Sequence, residues 1–210
     1  YGKNYGYMSS QNQSMIDHLK NKLIKLKRLT YLKKGDTIID IGSNDGTFLN
    51  FFKKKFNLIG VDPSAKRLRK YYRKDINLIT DFFSFNSLKN YLKLNKAKII
   101  TTISMFYDLE DPIQFASDIH KSLDENGIWH LEQSYMPSMI KNVSYDTICH
   151  EHLEYYSSKI IIEMMSCNGL QVFDYEFNDI NGGSTRYYIC HQKTNYKIKQ
   201  KKINRLLLRE

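Results

Sequence analysis

The chain has 210 residues, of which 41% are hydrophobic and 26% are charged, and its formal net charge at pH 7 is +10. This composition is typical of a globular protein and excludes a disordered or collagen-like chain. A chain of this length forms one domain that buries roughly 70% of the surface exposed by the unfolded chain, so it needs no disulfide or metal for stability. No apolar run approaches the ~18 residues of a membrane-spanning helix.

The cysteines indicate a reducing compartment. Cys149, Cys167 and Cys190 are odd in number and include no Cys-x-x-Cys pair. A disulfide framework is therefore not expected, and we expect a cytoplasmic protein. No signal-peptide pattern opens the sequence. Because the first residue is Tyr1 rather than Met, we expect the sequence to be a piece of a longer product.

Much of the positive charge lies in the last 18 residues, 193–210, which hold seven Lys or Arg residues and one Glu. Elsewhere the lysines alternate with apolar residues at helical spacing, as on the solvated faces of amphipathic helices. An excess of positive charge attracts anions in general. We expect a small anionic partner, such as a phosphorylated or nucleotide-linked compound, rather than a nucleic acid or a membrane.

Helical and strand patterns alternate along the chain. In chain order, the helical patterns cover residues 14–33, 45–56, 63–74, 84–94, 112–123 and 159–167. The strand patterns cover residues 37–41, 58–62, 76–80, 97–103, 128–132, 170–177 and 184–191. Residues 134–156 show no clean period, and we interpret them as an active-site insertion. The last two strands have no helix between them, so they must be antiparallel neighbours.

These patterns predict the fold class α/β. We expect a Rossmann-like, doubly wound, mostly parallel seven-stranded sheet, with an antiparallel last strand and helices on both faces. We assign residues 1–210 to a single domain. Residues 1–34 form an N-terminal cap segment and helix, residues 35–192 form the core, and residues 193–210 form a basic C-terminal segment.

The first predicted strand leads into a turn that is suited to a ligand. The segment reads Asp40-Ile41-Gly42-Ser43-Asn44-Asp45-Gly46-Thr47. Glycines let the backbone turn tightly and approach a ligand, and Asn tolerates a left-handed conformation. The turn lacks both the dinucleotide fingerprint and the Gly-Lys-Ser/Thr of a P-loop. Asp62 follows Gly42 by twenty residues, where a carboxylate accepts both hydroxyls of a ribose, so we expect a nucleoside-type cofactor.

This turn, together with Val61-Asp62-Pro63-Ser64, resembles the class I S-adenosylmethionine-dependent methyltransferases. The resemblance implies that S-adenosylmethionine is the cofactor and that the turn contacts its methionine and ribose parts. It implies that residues 81–83 flank the adenine and that residues 104–107 lie against the methionine end. The implied cofactor-binding residues are Asp40, Gly42, Ser43, Asn44, Gly46, Asp62, Pro63, Asp81, Phe82, Phe83, Ser104 and Met105.

Three further stretches, residues 5–10, 145–157 and 178–184, resemble the sugar C-methyltransferases that alkylate nucleotide-linked keto-sugars. The resemblance runs from about Tyr5 to about His191 and implies a role in carbohydrate biosynthesis. Members of that family commonly carry an N-terminal zinc domain and a C-terminal domain that helps to hold the sugar nucleotide. We expect the present sequence to lack both and to hold only the methyltransferase domain.

The stretch His150-Glu151-His152 is the main candidate for catalysis. In an extended segment the two histidines share one face and Glu151 points the other way. A metal site would need a third ligand, which is not evident, so we expect no metal. A structural polar cluster stays open as an alternative. We favour proton transfer, because histidine titrates near neutral pH.

On the proton-transfer hypothesis, His152 is the general base, and Glu151 or His150 orients the acceptor. A carbon next to a ketone must lose a proton before it attacks the methyl sulfonium, and the resulting enolate needs hydrogen-bond donors. Tyr7, His150 and Tyr155 are candidates for that role. Two alternatives stay open: an O-methyltransferase that acts on a surface-polysaccharide precursor, and a non-catalytic cofactor-binding module.

Overall fold

A computed structural model describes residues 6–92 and 96–210 of the chain. Its strands are β1 (Thr37–Ile41), β2 (Asn57–Val61), β3 (Ile76–Ile79), β4 (Ala97–Ile103), β5 (Leu123–Ser134), β6 (Leu170–Asn178) and β7 (Ser184–His191). Its α-helices are α1 (Gln13–Leu29), α2 (Thr47–Asn50), α3 (Ala65–Leu68), α4 (Phe85–Leu92), α5 (Pro112–Ser122), α6 (Met136–Asn142), α7 (Ser158–Cys167) and α8 (Gln200–Leu207). Short 3₁₀ helices lie at Ser9–Gln11, Arg69–Tyr71, Phe106–Asp108, Tyr145–Thr147 and Ile180–Gly182.

The strands form one seven-stranded sheet in the order β3-β2-β1-β4-β5-β7-β6. Strands β1, β2 and β3 pair in parallel. Strand β7 runs antiparallel to both of its neighbours, β5 and β6. The strand order reverses between β1 and β4, which is the switch point at which such sheets bind ligands. The predicted fold class is confirmed, including the antiparallel last strand.

The chain divides into two compact units. The first comprises the described part of Tyr1–Thr101 together with Ser122–Gly127, and the second comprises Thr102–Lys121 together with Ile128–Glu210. In the first unit β1 is buried along its whole length, as expected for a parallel strand covered on both faces. The assignment of all 210 residues to a single domain stays a prediction.

The core of the second unit is built around Trp129, which is fully buried. Its indole N–H donates to Thr102 Oγ1 at 2.9 Å, so the polar atom of this large side chain is satisfied. Phe106 and Phe115 pack against the indole, with ring centroids 5.8 Å and 6.2 Å away. The Trp129 side chain therefore lies in the core, as the sequence indicated.

Two predicted helices are much shorter in the structure. Residues 45–56 contain only the four residues of α2, and turns follow them. Phe48, Phe52 and Phe56 nevertheless stack edge to face, with centroids 5.3 Å and 6.1 Å apart. The four-residue spacing of these phenylalanines therefore marks buried side chains that pack together and does not mark a continuous helix. Residues 63–74 likewise contain only α3 and one 3₁₀ turn.

Other boundaries also differ from the prediction. Strand β5 begins at Leu123, so Asn126 and Gly127 lie inside a strand and do not end the preceding helix. The segment predicted to be aperiodic, 134–156, contains helix α6, which begins next to Pro137. Proline is favoured in the first turn of a helix because its missing N–H has no helical partner there. The predicted end of the fourth helix, Leu94, lies outside the described residues.

The basic C-terminal segment packs on the second unit. Ile203 and Leu206 of α8 are buried, and the Nζ atoms of Lys199 and Lys202 lie 2.6 Å and 2.7 Å from the carboxylate of Asp174. Asp174, on β6, is 1% exposed, so the lysines neutralise a buried charge. Over residues 6–92 and 96–210, the structure has no helix with the length and apolarity to cross a membrane.

Candidate functional site

The turn after β1 has the strained backbone that its sequence predicts. Gly42, Asn44 and Gly46 all have left-handed backbone angles, with φ of 72°, 52° and 77°. A Cβ atom at Gly46 would lie 2.5 Å from the ring of Tyr72. The Tyr72 hydroxyl donates to the carbonyl of Asn44 at 2.7 Å and accepts from Ser43 Oγ at 2.8 Å. Glycine at position 46 therefore lets a tyrosine pack directly on the turn.

Asp62 holds the same turn from the end of β2 and is fully buried. Its Oδ2 accepts the backbone N–H of Asn44 at 2.8 Å. Its Oδ1 accepts the N–H and the hydroxyl of Ser64 at 2.7 Å and 2.6 Å. A carboxylate has about four acceptor positions. Described residues fill three of these positions, which leaves about one for a ligand.

The N-terminal segment lies on the turn through its side chains. Asn44 Oδ1 accepts the N–H of Ser9 at 3.0 Å, and Asn44 Nδ2 donates to the carbonyl of Tyr7 at 2.9 Å. Asp45 Oδ2 accepts the N–H of Ser10 at 2.9 Å. Both polar atoms of the Asn44 side chain thus bond to the N-terminal segment. A ligand at this turn would therefore meet the backbone of the turn rather than the Asn44 side chain. The Tyr7 side chain is 42% exposed, and Tyr5 lies outside the described residues.

Asp40 is a buried acid behind the turn. Its Oδ1 accepts the hydroxyl of Thr101 at 2.5 Å. The pKa of Asp40 is raised to about 7, mainly by burial; the hydrogen bond from Thr101 and the charge of Lys22 lower it, and the charges of Asp62 and Asp45 raise it. A carboxyl group inside the protein with this pKa carries a proton for part of the time at neutral pH. Asp40 is therefore a structural and titrating group rather than an open ligand contact.

The end of β3 presents an exposed aromatic ring. Phe82 is 61% exposed, and its N–H donates to Asp81 Oδ1 at 2.8 Å. Asp81 is itself exposed, Phe83 is half-buried and Pro63, after β2, is buried. An exposed ring beside an exposed carboxylate offers a stacking face and a hydrogen-bond acceptor at one strand end.

In the second unit, the loop after β4 begins at a left-handed residue. Ser104 has φ of 54°, and its N–H donates to the carbonyl of Glu132 at 2.9 Å. Such a backbone angle costs free energy in a residue other than glycine and occurs more often than average at functional sites. The next side chains, Met105 and Tyr107, are buried. The Tyr107 hydroxyl donates back to the Ser104 carbonyl at 3.1 Å and so fixes the loop.

His152 lines a small pocket in the second unit. The pocket is lined by Tyr107, Ser134, Met139, His152, Glu154 and Tyr155. Its walls are joined by the Tyr107 carbonyl, which accepts the N–H groups of Leu153 and Glu154 at 3.0 Å and 3.1 Å. The rings of Tyr107 and His152 lie 4.4 Å apart. The sequence did not predict that Ser134, Met139 and Glu154 line this pocket, because no sequence motif marks residues that share only a pocket wall.

The imidazole of His152 is held in one tautomer. Its Nδ1 lies 2.7 Å from the carbonyl oxygen of Thr147. A carbonyl only accepts hydrogen bonds, so Nδ1 must carry the proton. In the neutral ring the lone pair is then on Nε2, which is the form required of a general base.

The other two residues of the motif are placed differently from the prediction. The N–H of His152 donates to the carbonyl of Cys149 at 3.1 Å, so residues 149–152 form a turn and not an extended segment. The prediction that His150 and His152 share one face is therefore wrong. His150 and Glu151 are exposed, and neither lines the pocket. Of the three residues of the motif, His152 lines the pocket, and His150 and Glu151 lie on the surface.

The pocket also contains a hydroxyl group without a partner. The Tyr155 hydroxyl is buried and makes no hydrogen bond to the residues that the structure describes. A buried hydroxyl of this kind loses free energy unless a ligand or water pairs with it. The lining of this pocket includes the carboxylate of Glu154 and no lysine or arginine. The pocket therefore suits a neutral, hydroxylated group better than a phosphate.

Glu132, on β5, is a buried structural residue. Its Oε2 accepts Arg186 Nε at 2.7 Å and Asn178 Nδ2 at 3.1 Å. Asn178 Oδ1 in turn accepts the N–H of Ile180 at 3.0 Å, and Asn181 has a left-handed φ of 53°. These contacts join β5, β7 and the turn between β6 and β7.

Comparison with known proteins identifies the family. A family model described as a methyltransferase domain matches residues 12–175. The chain belongs to the methyltransferase domain family. It is an enzyme domain of the class that uses S-adenosylmethionine as its cofactor.

Three relatives of this methyltransferase show the extent of the likeness. The C-methyltransferase NovU of Streptomyces niveus is 23% identical over 197 residues, which cover 93% of this chain and 47% of the relative. The chain thus spans about half the length of that relative. A chain from the Haloferax volcanii complex of the Trm112 methyltransferase activator with a methyltransferase has a TM-score of 0.65 at 15% identity, and the match covers 87% of this chain and 93% of that one. The plantazolicin methyltransferase BpumL, solved with a triazolic substrate analogue and SAH, has a TM-score of 0.61 at 14% identity, with 88% of each chain covered.

Proposed function

We propose that this methyltransferase methylates a carbon atom of a carbohydrate-like, nucleotide-linked acceptor, with His152 as the general base. The observation that carries the proposal is the hydrogen bond from Nδ1 of His152 to the Thr147 carbonyl, which leaves the Nε2 lone pair of a pocket residue available. The similarity to a C-methyltransferase over 93% of the chain supports carbon as the methylated atom.

The first unit contains the residues that would hold S-adenosylmethionine. They follow the carboxyl ends of three strands that pair in parallel, β1, β2 and β3. The left-handed turn 42–46 would approach the cofactor through its backbone, and Asp62 would accept one ribose hydroxyl with its remaining acceptor position. Phe82 and Asp81 would contact the adenine through an exposed ring and an exposed carboxylate. When bound, this cofactor supplies an electrophilic methyl group.

The remaining cofactor assignments have less direct roles. Asp40, Ser43 and Asn44 would support the turn from behind, because their side chains already bond to Thr101, Tyr72 and the N-terminal segment. Gly46 would keep the turn in contact with Tyr72. The cofactor roles of Ser104 and Met105, which lie in the second unit, stay predictions.

In the second unit the chain provides for removal of a proton. A carbon next to a carbonyl group is a nucleophile only after it has lost a proton, and Nε2 of His152 would accept that proton. The Thr147 carbonyl keeps the ring in the reactive tautomer and stabilises the charged ring that results, since Nδ1–H still donates to it. The unpaired hydroxyl of Tyr155 would donate to the oxygen of the acceptor, on which negative charge develops.

The pocket also indicates which part of the acceptor it would take. Ser134 and Glu154 offer polar atoms to sugar hydroxyls, and Met139 offers an apolar surface. Because the lining has no lysine or arginine, the anionic part of a nucleotide-linked sugar would lie outside this pocket.

The proposal is tested with a pair of matched variants. His152→Asn keeps a side-chain N–H close to the position of Nδ1, so it preserves the bond to Thr147 while it removes the base. We expect it to bind cofactor normally and to turn over at least ~100-fold more slowly, because a general base contributes ~10²–10⁴-fold. His150→Asn changes an exposed histidine two residues away and serves as the control.

Turnover is measured as transfer of labelled methyl from the cofactor to a panel of nucleotide-linked keto-sugars. A fall in rate that is confined to His152→Asn supports the assignment of the base. Full activity of His152→Asn on a sugar that the wild-type domain methylates contradicts it, and the stretch 150–152 then has only a structural role.

A further inference from the structure

A carboxyl group with an unpaired oxygen lies close to the proposed base. Asp108 ends the 3₁₀ helix after β4, and its Oδ1 atom is buried without a hydrogen bond to any residue that the structure describes. The ring of the preceding residue, Tyr107, packs against the ring of His152, and the Tyr107 carbonyl accepts the N–H groups of Leu153 and Glu154. The backbone after His152 is thus bonded to the residue next to Asp108.

Asp108 is also within electrostatic reach of the motif. The pKa of Asp108 is raised to about 6, mainly by burial, while the charge of His152 lowers it and the charge of Glu151 raises it. Near neutral pH most of the Asp108 carboxyl is therefore ionised. Since a buried unpaired oxygen costs about 1–3 kcal/mol, a purely structural role does not account for it.

We propose that Asp108 is a positioning residue that stabilises the protonated form of His152 during catalysis. This inference rests on the proposed function of His152 as the base. A proton passes from the acceptor to Nε2 of His152, Nδ1–H stays on the Thr147 carbonyl, and Asp108 keeps its negative charge throughout. A neutral ring beside a carboxylate thereby becomes an ion pair, which stabilises the ring only after it has gained the proton.

The test is a titration of His152 by NMR in the full 210-residue chain with ¹⁵N-labelled histidine, in which His152→Asn assigns the signal. It needs neither acceptor nor cofactor. Asp108→Asn keeps the shape of the side chain and removes its charge, and we expect the His152 ring to bind its proton about tenfold less tightly in that variant. Glu110→Gln, an exposed change two residues away, should leave the titration as in the wild type. Asp108→Glu should restore most of the effect.

A second measurement does not depend on the folding of an Asp108 variant. The ¹³C signal of the Asp108 carboxyl is titrated in the wild type and in His152→Asn, where loss of the histidine should raise the pKa of Asp108, since a coupling between two groups is reciprocal. A His152 titration that is unchanged in Asp108→Asn, or an Asp108 titration that is unchanged in His152→Asn, overturns the inference. Normal turnover by His152→Asn instead contradicts the proposed function, so the two failures are distinguishable.

Discussion

Asp62 should stabilise the fold as well as bind the cofactor, and the two contributions can be measured separately. Asp62→Ala removes the acceptor of two buried backbone N–H groups, those of Asn44 and Ser64. Each N–H left unpaired in the interior costs about 1–3 kcal/mol, so the free energy of unfolding should fall by about 2–6 kcal/mol. The turn after β1 should lose its fixed shape at the same time, because Asn44 lies at its centre.

The effect of Asp62 on cofactor affinity should be smaller than the sequence alone indicates. The structure leaves one free acceptor position on Asp62, so the ribose gains one charge-assisted hydrogen bond, which is worth about 1.5–3 kcal/mol. Affinity for SAH in Asp62→Asn should therefore fall by roughly 10- to 150-fold. Asn keeps one acceptor oxygen and turns an NH₂ group toward a donor, so this variant should lose about half of the stability lost by Asp62→Ala.

Urea unfolding and calorimetry with SAH measure the two quantities. Ser64→Ala is the matched control, because it removes only the hydroxyl bond to Oδ1 and keeps both the carboxylate and the loop N–H bonds. We expect it to cost about 1 kcal/mol of stability and to leave SAH affinity unchanged. An Asp62→Ala chain that is as stable as Ser64→Ala would refute the account of the turn, and unchanged SAH affinity in Asp62→Asn would refute the ribose contact.

Two further predictions concern the same unit. Gly46→Ala should lower the free energy of unfolding by about 1–3 kcal/mol and weaken SAH binding, because the new Cβ would lie 2.5 Å from the Tyr72 ring. Gly35 also has a left-handed backbone but open space around it, so Gly35→Ala should cost only about 1 kcal/mol. Equal losses in the two variants would contradict the packing of Tyr72 on Gly46. Asp40 should make stability fall as pH rises between its ordinary pKa of 3.8 and about 7, because the folded state binds a proton there that the unfolded state has released. Urea unfolding across this range should show a weaker pH dependence in Asp40→Asn than in the wild type, and parallel curves would show that Asp40 is not the titrating group.

The sequence predicted best what local chemistry decides. Strands β1, β4 and β7 have the predicted bounds, because each is an apolar or β-branched run with clear breaks on either side. Asn44 adopts the left-handed backbone that its side chain tolerates. The mostly parallel sheet followed from the alternation of helices and strands, and the antiparallel last strand followed from the absence of a helix between the last two strand patterns.

The sequence predicted less well what long-range contacts decide. Phe48, Phe52 and Phe56 follow a helical period, yet only Phe48 lies in a helix. The acceptor positions of Asp62 are filled by residues of two different loops, which no spacing reveals. The turn at 149–152 and the hydrogen bond from His152 to Thr147 place His152 in the pocket and leave His150 at the surface. The His-Glu-His spacing alone does not show this difference.

Hydrogen exchange on the acceptor tests the central claim most directly. The wild-type domain is incubated in heavy water with SAH and a nucleotide-linked keto-sugar that it methylates, so that proton removal is observed without methyl transfer. We expect the wild type to replace a carbon-bound hydrogen next to the ketone with deuterium and His152→Asn to do so at least ~100-fold more slowly. Exchange at the same rate in both chains would contradict His152 as the base, and methyl transfer without exchange at carbon in the wild type would contradict carbon methylation.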